Sequence, residues 1–475
     1  MDGFVADLAS PLDDDVATVS SSCPRSFHLG TGASLFSNVL GPALESATSE
    51  IIFVTCFWAP SASLSALHHA LARLARRRRR HLLDHGPLAR LTVRISFSSR
   101  SLLQKLFHPQ SSHGYVYPPS AWEKQLGLPS PQLLDAGAID LRVKTLFFLP
   151  FSVMHPKFVI VDRTRAFVPS CNVSWEPWLE GCLELTGDAV ARLLAFYART
   201  WESNLRSRPA AAGQDLSNPE IDAESVRSAA IRSPADYRLP LPPIPQQLPT
   251  LVLPSSHHVN PRFRFPWQKA APVPPTPLNV ALLGLFRDAR LSIYLQTPNL
   301  TCEPVVAALL DALSRGVDVT IVTNRNMMVL EQLITAGTTT GWCVQSLVRR
   351  FRRLQAVSAG QSYDPEAGHR NMGKLFISSF CPRRKPAFHS PENQPPQVST
   401  SREEEPIHSH FKLCIVDGEF TMLGSGNMDR ASWYTSQELG ILIHGREFAQ
   451  GVKAGVDRVL DGRIDVMFDS SEPRP

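Results

Sequence analysis

Two stretches of the 475-residue chain carry the same set of reactive side chains at the same spacing. His155, Lys157 and Asp162 stand at i, i+2 and i+7 in HPKFVIVD, and His410, Lys412 and Asp417 repeat that spacing in HFKLCIVD. An Asn follows each His by 17 residues, as Asn172 and Asn427, and a Ser stands two positions before each Asn, as Ser170 and Ser425. A carboxylate comes later in both, Glu184 at 29 residues from its His and Glu438 at 28. One imidazole can act as nucleophile if a second protonates the leaving group, so two equivalent imidazoles facing one another supply both roles. Two lysines would hold a phosphate by charge, and Ser170, Asn172, Ser425 and Asn427 could donate hydrogen bonds to its oxygens. This is the chemistry of a phosphodiester site. It needs no metal or other cofactor, and the sequence shows no carboxylate cluster that would bind one. Glu184 and Glu438 are expected to accept the second N–H of each imidazole and so fix its tautomer. Asp162 and Asp417 either share that task or cap the turns behind their strands.

The elements that must position these groups follow from periodicity. HPKFVIVD and HFKLCIVD are short apolar runs followed by turn residues, the pattern of a buried strand. Side chains at i and i+2 of a strand share a face, which would set each imidazole beside its lysine. Helical spacing over Leu35 to Ser49 leads into a strand from Ile51 to Trp58. A helix from Leu64 to Arg80 precedes a strand from Leu91 to Phe97, and Ala189 to Trp201 reads as a closing helix. The second half repeats the plan with a helix from Val280 to Ala289, a strand from Leu291 to Gln296, a helix from Pro304 to Ser314 and a strand from Val317 to Thr323. Helices alternating with apolar strands predict two α/β lobes, each a mixed, mostly parallel sheet flanked by helices. Neither lobe alone holds a complete site.

The boundaries expected are a tail over residues 1–26, a first lobe over 27–206, a linker over 207–277, a second lobe over 278–467 and a tail over 468–475. Thirteen prolines between Pro234 and Pro277 argue against regular structure there. An insertion over 381–406, rich in Pro, Ser, Glu and Gln, reads as a mobile loop just before His410. Eight cysteines lack the paired spacing of a zinc site, which favours free thiols in a reducing compartment. No apolar run is long enough to cross a bilayer, and the acidic N-terminal segment is unlike a targeting peptide. An intracellular, cytoplasmic or peripherally membrane-associated monomer is the expectation. The net charge of +5 is concentrated in Arg76 to Arg80 and in Arg349, Arg350, Arg352 and Arg353. The first block reads as the solvated end of a helix, with an anionic lipid patch or a nucleic-acid contact as the sharper alternatives.

These residues resemble the signature of the phospholipase D superfamily, two copies of HxKxxxxD with a following GSxN element. His155, Lys157 and Asp162 match the first copy; His410, Lys412, Asp417, Gly424, Ser425 and Asn427 match the second. The resemblance implies pseudo-symmetric lobes around one shared site and a covalent phosphohistidine, with His155 as nucleophile and His410 as general acid. It also implies a phosphodiesterase or phosphatidyltransferase acting on glycerophospholipids, of the cardiolipin synthase-like kind, at a membrane surface. A metal-independent nuclease of the same superfamily is the alternative, with nucleic acid ranked below lipid as partner, and an inactive membrane-binding or partner-binding member is the third reading. The first lobe departs from the pattern with Pro169-Ser170-Cys171-Asn172, which is expected to alter the turn and weaken phosphate contact on that side. Asp at i+7 in both motifs argues against the tyrosyl-DNA phosphodiesterase branch, where Asn stands there.

Overall fold

The computed structural model describes residues 19–101, 113–147, 153–202, 231–241, 246–255, 272–360, 372–383 and 403–472. In the first lobe the strands are β1 (Ser20–Thr31), β2 (Glu50–Phe57), β3 (Leu91–Ser99), β4 (Tyr115–Val116), β5 (Ile139–Thr145), β6 (Phe158–Val161), β7 (Arg165–Pro169) and β8 (Trp178–Gly187). Two more, β9 (Tyr237–Arg238) and β10 (Leu248–Ser255), lie between the motifs. The second lobe adds β11 (Ser292–Gln296), β12 (Asp318–Thr323), β13 (Leu375–Phe380), β14 (His408–Ser409), β15 (Leu413–Val416), β16 (Phe420–Gly424), β17 (Glu438–His444) and β18 (Ile464–Asp469). The helices that matter below are α1 (Ala62–His85), α2 (Asp188–Trp201), α3 (Pro277–Asp288), α4 (Glu303–Ser314), α5 (Val329–Ala336), α6 (Thr340–Gly360) and α7 (Arg446–Leu460).

Strand pairing repeats between the lobes. β2, β3 and β5 run parallel, then β6, β7, β8 and β1 follow as antiparallel neighbours. In the second lobe β11, β12 and β13 are parallel, and β15, β16, β17 and β10 follow antiparallel. β1 and β10 are themselves antiparallel partners, Ser20 opposite Thr250 and Ser22 opposite Leu248, so the two sheets join across a pseudo-twofold axis. The sheet is mixed, as expected, but antiparallel ladders predominate rather than parallel ones. The cause is local: Asp162–Thr164 and Asp417–Glu419 are turns too short for a crossover, so β6–β7 and β15–β16 must be hairpins.

Three boundaries move. Ser20 to Ser26, expected in a tail, form the start of the central strand β1, and Phe468 and Asp469 belong to β18 rather than to a C-terminal tail. The proline-rich stretch contains β10, a central strand, although it carries Pro249 and Pro254. Each proline removes only one donor, and the apolar run Leu251 to Leu253 is fully buried against both lobes. Of the insertion over 381–406, residues 384–402 lie outside the described residues. Its ends are held by Glu405, which accepts from Arg463 Nε at 2.7 Å and from the Arg383 N–H at 2.8 Å.

One apolar core fills the space between the lobes, built on Phe27, Leu179, Phe411, Leu439 and residues of α2 and α7. Two further cores pack the outer helices against the opposite faces of the sheet, α1 in the first lobe and α3, α4 and α6 in the second. The helix starts have the usual capping chemistry. The Ser61 hydroxyl accepts from the Leu64 N–H ahead of α1, and Thr276 accepts from Asn279 ahead of α3, which has Pro277 in its first turn. The Arg76 to Arg80 block is not a purely solvated face. Arg78 and Arg79 are buried, and Arg78 donates to the backbone carbonyls of Gly137 and Ala89, which ties α1 to two loops. In the second block Phe351 is a core residue, Arg350 pairs with Glu303 and Arg352 lies over the Phe468 ring.

Candidate active site

The extended segments that carry the two histidines end where β6 and β15 begin, and each pairs with the opposite lobe. The His155 N–H donates to the Gln437 carbonyl at 3.0 Å, and the His410 N–H donates to the Leu179 carbonyl at 2.9 Å. Parallel pairing reinforces both contacts, Met154 with Gln437 on one side and His408 and Ser409 with Trp178 and Leu179 on the other. The next residue along each accepting strand is a glutamate: Glu438 after Gln437, Glu180 after Leu179. Each histidine therefore meets the carboxylate of the other lobe.

The side chains complete the exchange. His155 Nδ1 lies 3.0 and 2.9 Å from the two oxygens of Glu438, and His410 Nδ1 lies 2.8 Å from Glu180 Oε1. Glu438 thus has the role expected of it, but toward the histidine of the first motif. Glu184 does not orient a histidine. Its carboxylate accepts from Ser26 Oγ at 2.8 Å and pairs with Arg165 at 2.8 Å, on the first lobe's own surface. Glu180, absent from the sequence reading, takes the place assigned to it. One signal was available, because seven residues separate Glu180 from Gly187 ahead of α2, as seven separate Glu438 from Gly445 ahead of α7. Counting forward from the histidines hid this, since the loop after Asn427 is three residues longer than the one after Asn172.

The serines support these carboxylates rather than facing a phosphate. Ser170 Oγ donates to Glu180 and accepts from the Gly181 N–H at 2.9 Å; Ser425 Oγ donates to Glu438 and accepts from the Leu439 N–H at 3.0 Å. Pro169 in place of glycine does not disturb this turn. The Ser170 N–H still donates to Gly181 at 2.8 Å, as the Ser425 N–H does to Leu439 at 2.9 Å. Gly424 itself has φ 156°, and a Cβ there would lie 2.1 Å from the Leu439 carbonyl.

Asp162 and Asp417 lie away from the imidazoles. Five residues of extended chain separate each from its lysine, roughly 16 Å. Asp162 has φ 51° and accepts from the backbone N–H groups of Thr48, Ser49 and Glu50, where β2 begins. Asp417, at φ 55°, does the same for Arg290, Leu291 and Ser292 at the start of β11. They tie hairpin turns to the parallel strands, and neither carboxylate meets an imidazole. The turn hydrogen bonds hold the Asp162 carboxyl at about 2, against a burial effect that would raise it.

Lys157 and Lys412 are buried, and each Nζ donates to the carbonyl of its own histidine, at 2.9 and 2.6 Å. Burial brings Lys412 down to about 7, with Glu180 opposing. Burial also lowers His410 to about 4 against the opposing pull of Glu180, and lowers His155 against that of Glu438. Burial alone would raise both glutamates; the facing histidine, its hydrogen bond, the serine hydroxyl and a lysine together outweigh it and hold them ionised. Near neutral pH each imidazole is then uncharged, with Nδ1–H given to a carboxylate and the Nε2 lone pair free. The Trp178 ring packs on His410 with centroids 4.9 Å apart, while the His155 side chain is the more open, 14% exposed against 6%. Asn172 accepts from the Phe57 N–H through Oδ1 at 3.2 Å, and Asn427 donates from Nδ2 to Asp429 at 2.9 Å. The Asn427 Oδ1 is buried with no hydrogen-bond partner among the described residues.

Among the described residues no group of three or more His, Cys, Asp or Glu could hold a metal ion, and no helix is long and apolar enough to cross a membrane. All eight cysteines are free thiols.

Residues 282–460 match the family model described as cardiolipin synthase, phospholipase D-like domain. No curated protein matches the chain in sequence. Among solved structures, a phosphatidylserine synthase from Haemophilus influenzae Rd KW20 superposes with a TM-score of 0.50 at 12% identity, covering 96% of this chain and 91% of that one. The phospholipase D family member Nuc from Salmonella typhimurium aligns with a TM-score of 0.27 at 17% identity, over 46% of this chain and 96% of that one. A polyphosphate kinase from Porphyromonas gingivalis aligns with a TM-score of 0.41 at 10% identity, over 92% of this chain and 49% of that one.

Proposed function

We propose that this chain, whose residues 282–460 match a phospholipase D-like family model and whose fold resembles that of a phosphatidylserine synthase, cleaves or transfers the phosphodiester of a glycerophospholipid through a covalent phosphohistidine. The observation that carries this reading is the crossed pair of His–Glu contacts, which leaves two neutral imidazoles with their Nε2 atoms unengaged by the carboxylates. His155 Nε2 attacks phosphorus, the bond from phosphorus to the leaving oxygen breaks, and His410 donates a proton to that oxygen. In the second half His410 takes a proton from water or an alcohol, whose oxygen attacks phosphorus as the phosphorus–nitrogen bond breaks. The greater exposure of the His155 side chain supports its role as nucleophile. His410 must be protonated to act as acid. An incoming phosphate anion favours that state by adding negative charge beside Glu180. Lys157 and Lys412 supply the positive charge that offsets the pentacoordinate phosphorane, and the Asn172 amide is the side-chain donor for its oxygens.

The test is to incubate the protein with phosphatidylglycerol and a primary alcohol. A new phosphatidylalcohol, lost in both His155→Asn and His410→Asn, is the expected result. Label from a phosphate-labelled lipid should accumulate on His155 in the His410→Asn protein. Cleavage of single-stranded DNA without lipid turnover would replace this reading by the nuclease one. No turnover of either substrate would leave a binding protein.

A further inference from the structure

A second surface stands out beside this site. α5 presents Val329, Leu330, Leu333 and Ile334 to solvent, with Met328 ahead of it and Trp342 just beyond it also exposed. At 100° per residue the four α5 side chains fall within one arc of about 140°, while Glu331 lies on another face. Leu330 is 72% exposed and Ile334 58%, values that a free helix would rarely hold in water without a use.

The helix is held outward by buried polar contacts. Gln332, its one buried residue, donates to Asn299 Oδ1 at 3.0 Å and to the Met327 carbonyl, and accepts from the Thr340 N–H and hydroxyl. Four residues before Met328, Asn324 clamps Ser409 in both directions, donating to its carbonyl at 2.7 Å and accepting from its N–H at 2.9 Å. Ser409 is the residue before His410. The apolar face is therefore fastened to the rim of the catalytic site.

Its surroundings are basic. Arg325 is exposed at the start of the segment, and Trp342, Arg349 and Arg353 share one stripe of α6 at i, i+7 and i+11. A cavity of about 690 Å³ opens between the start of α4, α6 and the Arg430–Tyr434 segment, with Trp342, Arg349 and Arg430 in its wall and Ala336, the last residue of α5, also lining it. Glu303, also in that wall, is engaged by Arg350 at 2.6 Å. An apolar helix bordered by an aromatic ring and cations matches the layering of a bilayer surface, acyl chains below anionic headgroups. A second copy of this chain fits worse, because a twofold contact through this face would bring two sets of these arginines into one interface.

We infer that α5 and the Trp342–Arg353 stripe dock the protein on anionic phospholipid membrane, which brings the catalytic cleft to the headgroup level. This rests on the phospholipid reading above, but its test is binding and not turnover. Flotation with vesicles of phosphatidylcholine, with and without phosphatidylglycerol, should show the wild-type protein partitioning onto the mixed vesicles. Leu330→Asp with Ile334→Asp should lower that partitioning at least about tenfold. Arg349→Glu with Arg353→Glu should lower it only where phosphatidylglycerol is present, with the difference vanishing at high salt. Trp342→Ala guards against misfolding of the double variants and should weaken binding with an unchanged melting temperature. Turnover of a monomeric short-chain phospholipid should be the same in wild type and in Leu330→Asp with Ile334→Asp. Vesicle binding lost in these variants, with no phospholipid turned over by any protein, would keep the docking surface and remove the catalytic reading. Unchanged binding in the Leu330 and Ile334 double variant would overturn the docking surface. So would sedimentation showing a two-chain wild type and a one-chain variant, which would make the face a self-association interface.

Discussion

Glu180 and Glu184 sit four residues apart on one strand, and the structure gives them opposite fates. Replacing Glu180 by Gln keeps the shape of the side chain and an acceptor for the His410 Nδ1–H, and the amide can donate to Ser170 Oγ in place of accepting from it. What disappears is a negative charge 2.8 Å from the imidazole. With charge centres about 4 Å apart and an effective dielectric constant near 20, that charge stabilises the imidazolium by at most about 4 kcal/mol. At about 1.4 kcal/mol per decade the ceiling on the rate loss is roughly a thousandfold, and a drop in kcat of about 10²- to 10³-fold is expected. The same loss has a second readout that needs no substrate. Glu180 opposes the burial that brings His410 to about 4, so its removal must lower the imidazole still further. Histidine resonances followed by NMR against pH should show His410 titrating lower in Glu180→Gln and unshifted in Glu184→Gln. The latter breaks only a partly exposed pair with Arg165, worth about 0–1 kcal/mol, and should keep kcat within about twofold. A Glu184→Gln protein as impaired as Glu180→Gln, or a Glu180→Gln protein with wild-type rate and an unmoved His410, would refute the crossed arrangement of carboxylates.

Asp162→Ala and Asp417→Ala should lower the melting temperature while the folded protein keeps kcat within a few fold, because both carboxylates serve backbone donors far from the imidazoles. The Asp162 carboxyl is held at about 2, below its unfolded value, so its contribution is full above about pH 4 and fades as pH falls toward 2; Asp162→Ala should show a flatter acid denaturation curve there. Gly181→Ala should impair turnover without touching a reactive group. An added Cβ would meet the Phe411 ring at 2.4 Å, and Phe411 stands between His410 and Lys412, so a loss of tenfold or more in kcat is expected, relieved by Phe411→Leu. Lys412→Met should abolish activity yet raise stability. Burial lowers this lysine to about 7 from an unfolded value near 10.5, so folding is opposed below pH 7 and the opposition fades as pH climbs to 10.5. At about 1.4 kcal/mol per unit the ceiling is roughly 5 kcal/mol, reduced by the donor lost from the His410 carbonyl, and denaturant melts at pH 6 and pH 10 should show the gain shrinking with pH.

Much of this protein is local in origin. Four-residue apolar runs closed by turn residues read as strands, the turns that begin at Asp162 and Asp417 are too short for a crossover, and the matched spacings announce a duplicated lobe. His155, Lys157, His410 and Lys412 were legible because i and i+2 on extended chain cannot help but sit together, although the pair precedes each strand rather than lying within it. The tertiary structure decided what each reactive group faces. A histidine's carboxylate is selected by which strand its own backbone pairs with, and that strand belongs to the other lobe, so counting forward from the histidine could not separate Glu180 from Glu184; only the matched distance back from Gly187 and Gly445 could. The same holds for Ser170 and Ser425, whose hydroxyls are turned to those carboxylates. It holds as well for β10, whose two prolines matter less than its burial between lobes. Covalent spacing determines which groups travel together along a strand. The contacts across the pseudo-twofold axis are made only when both halves have folded, and they act together with burial to set charge and tautomer.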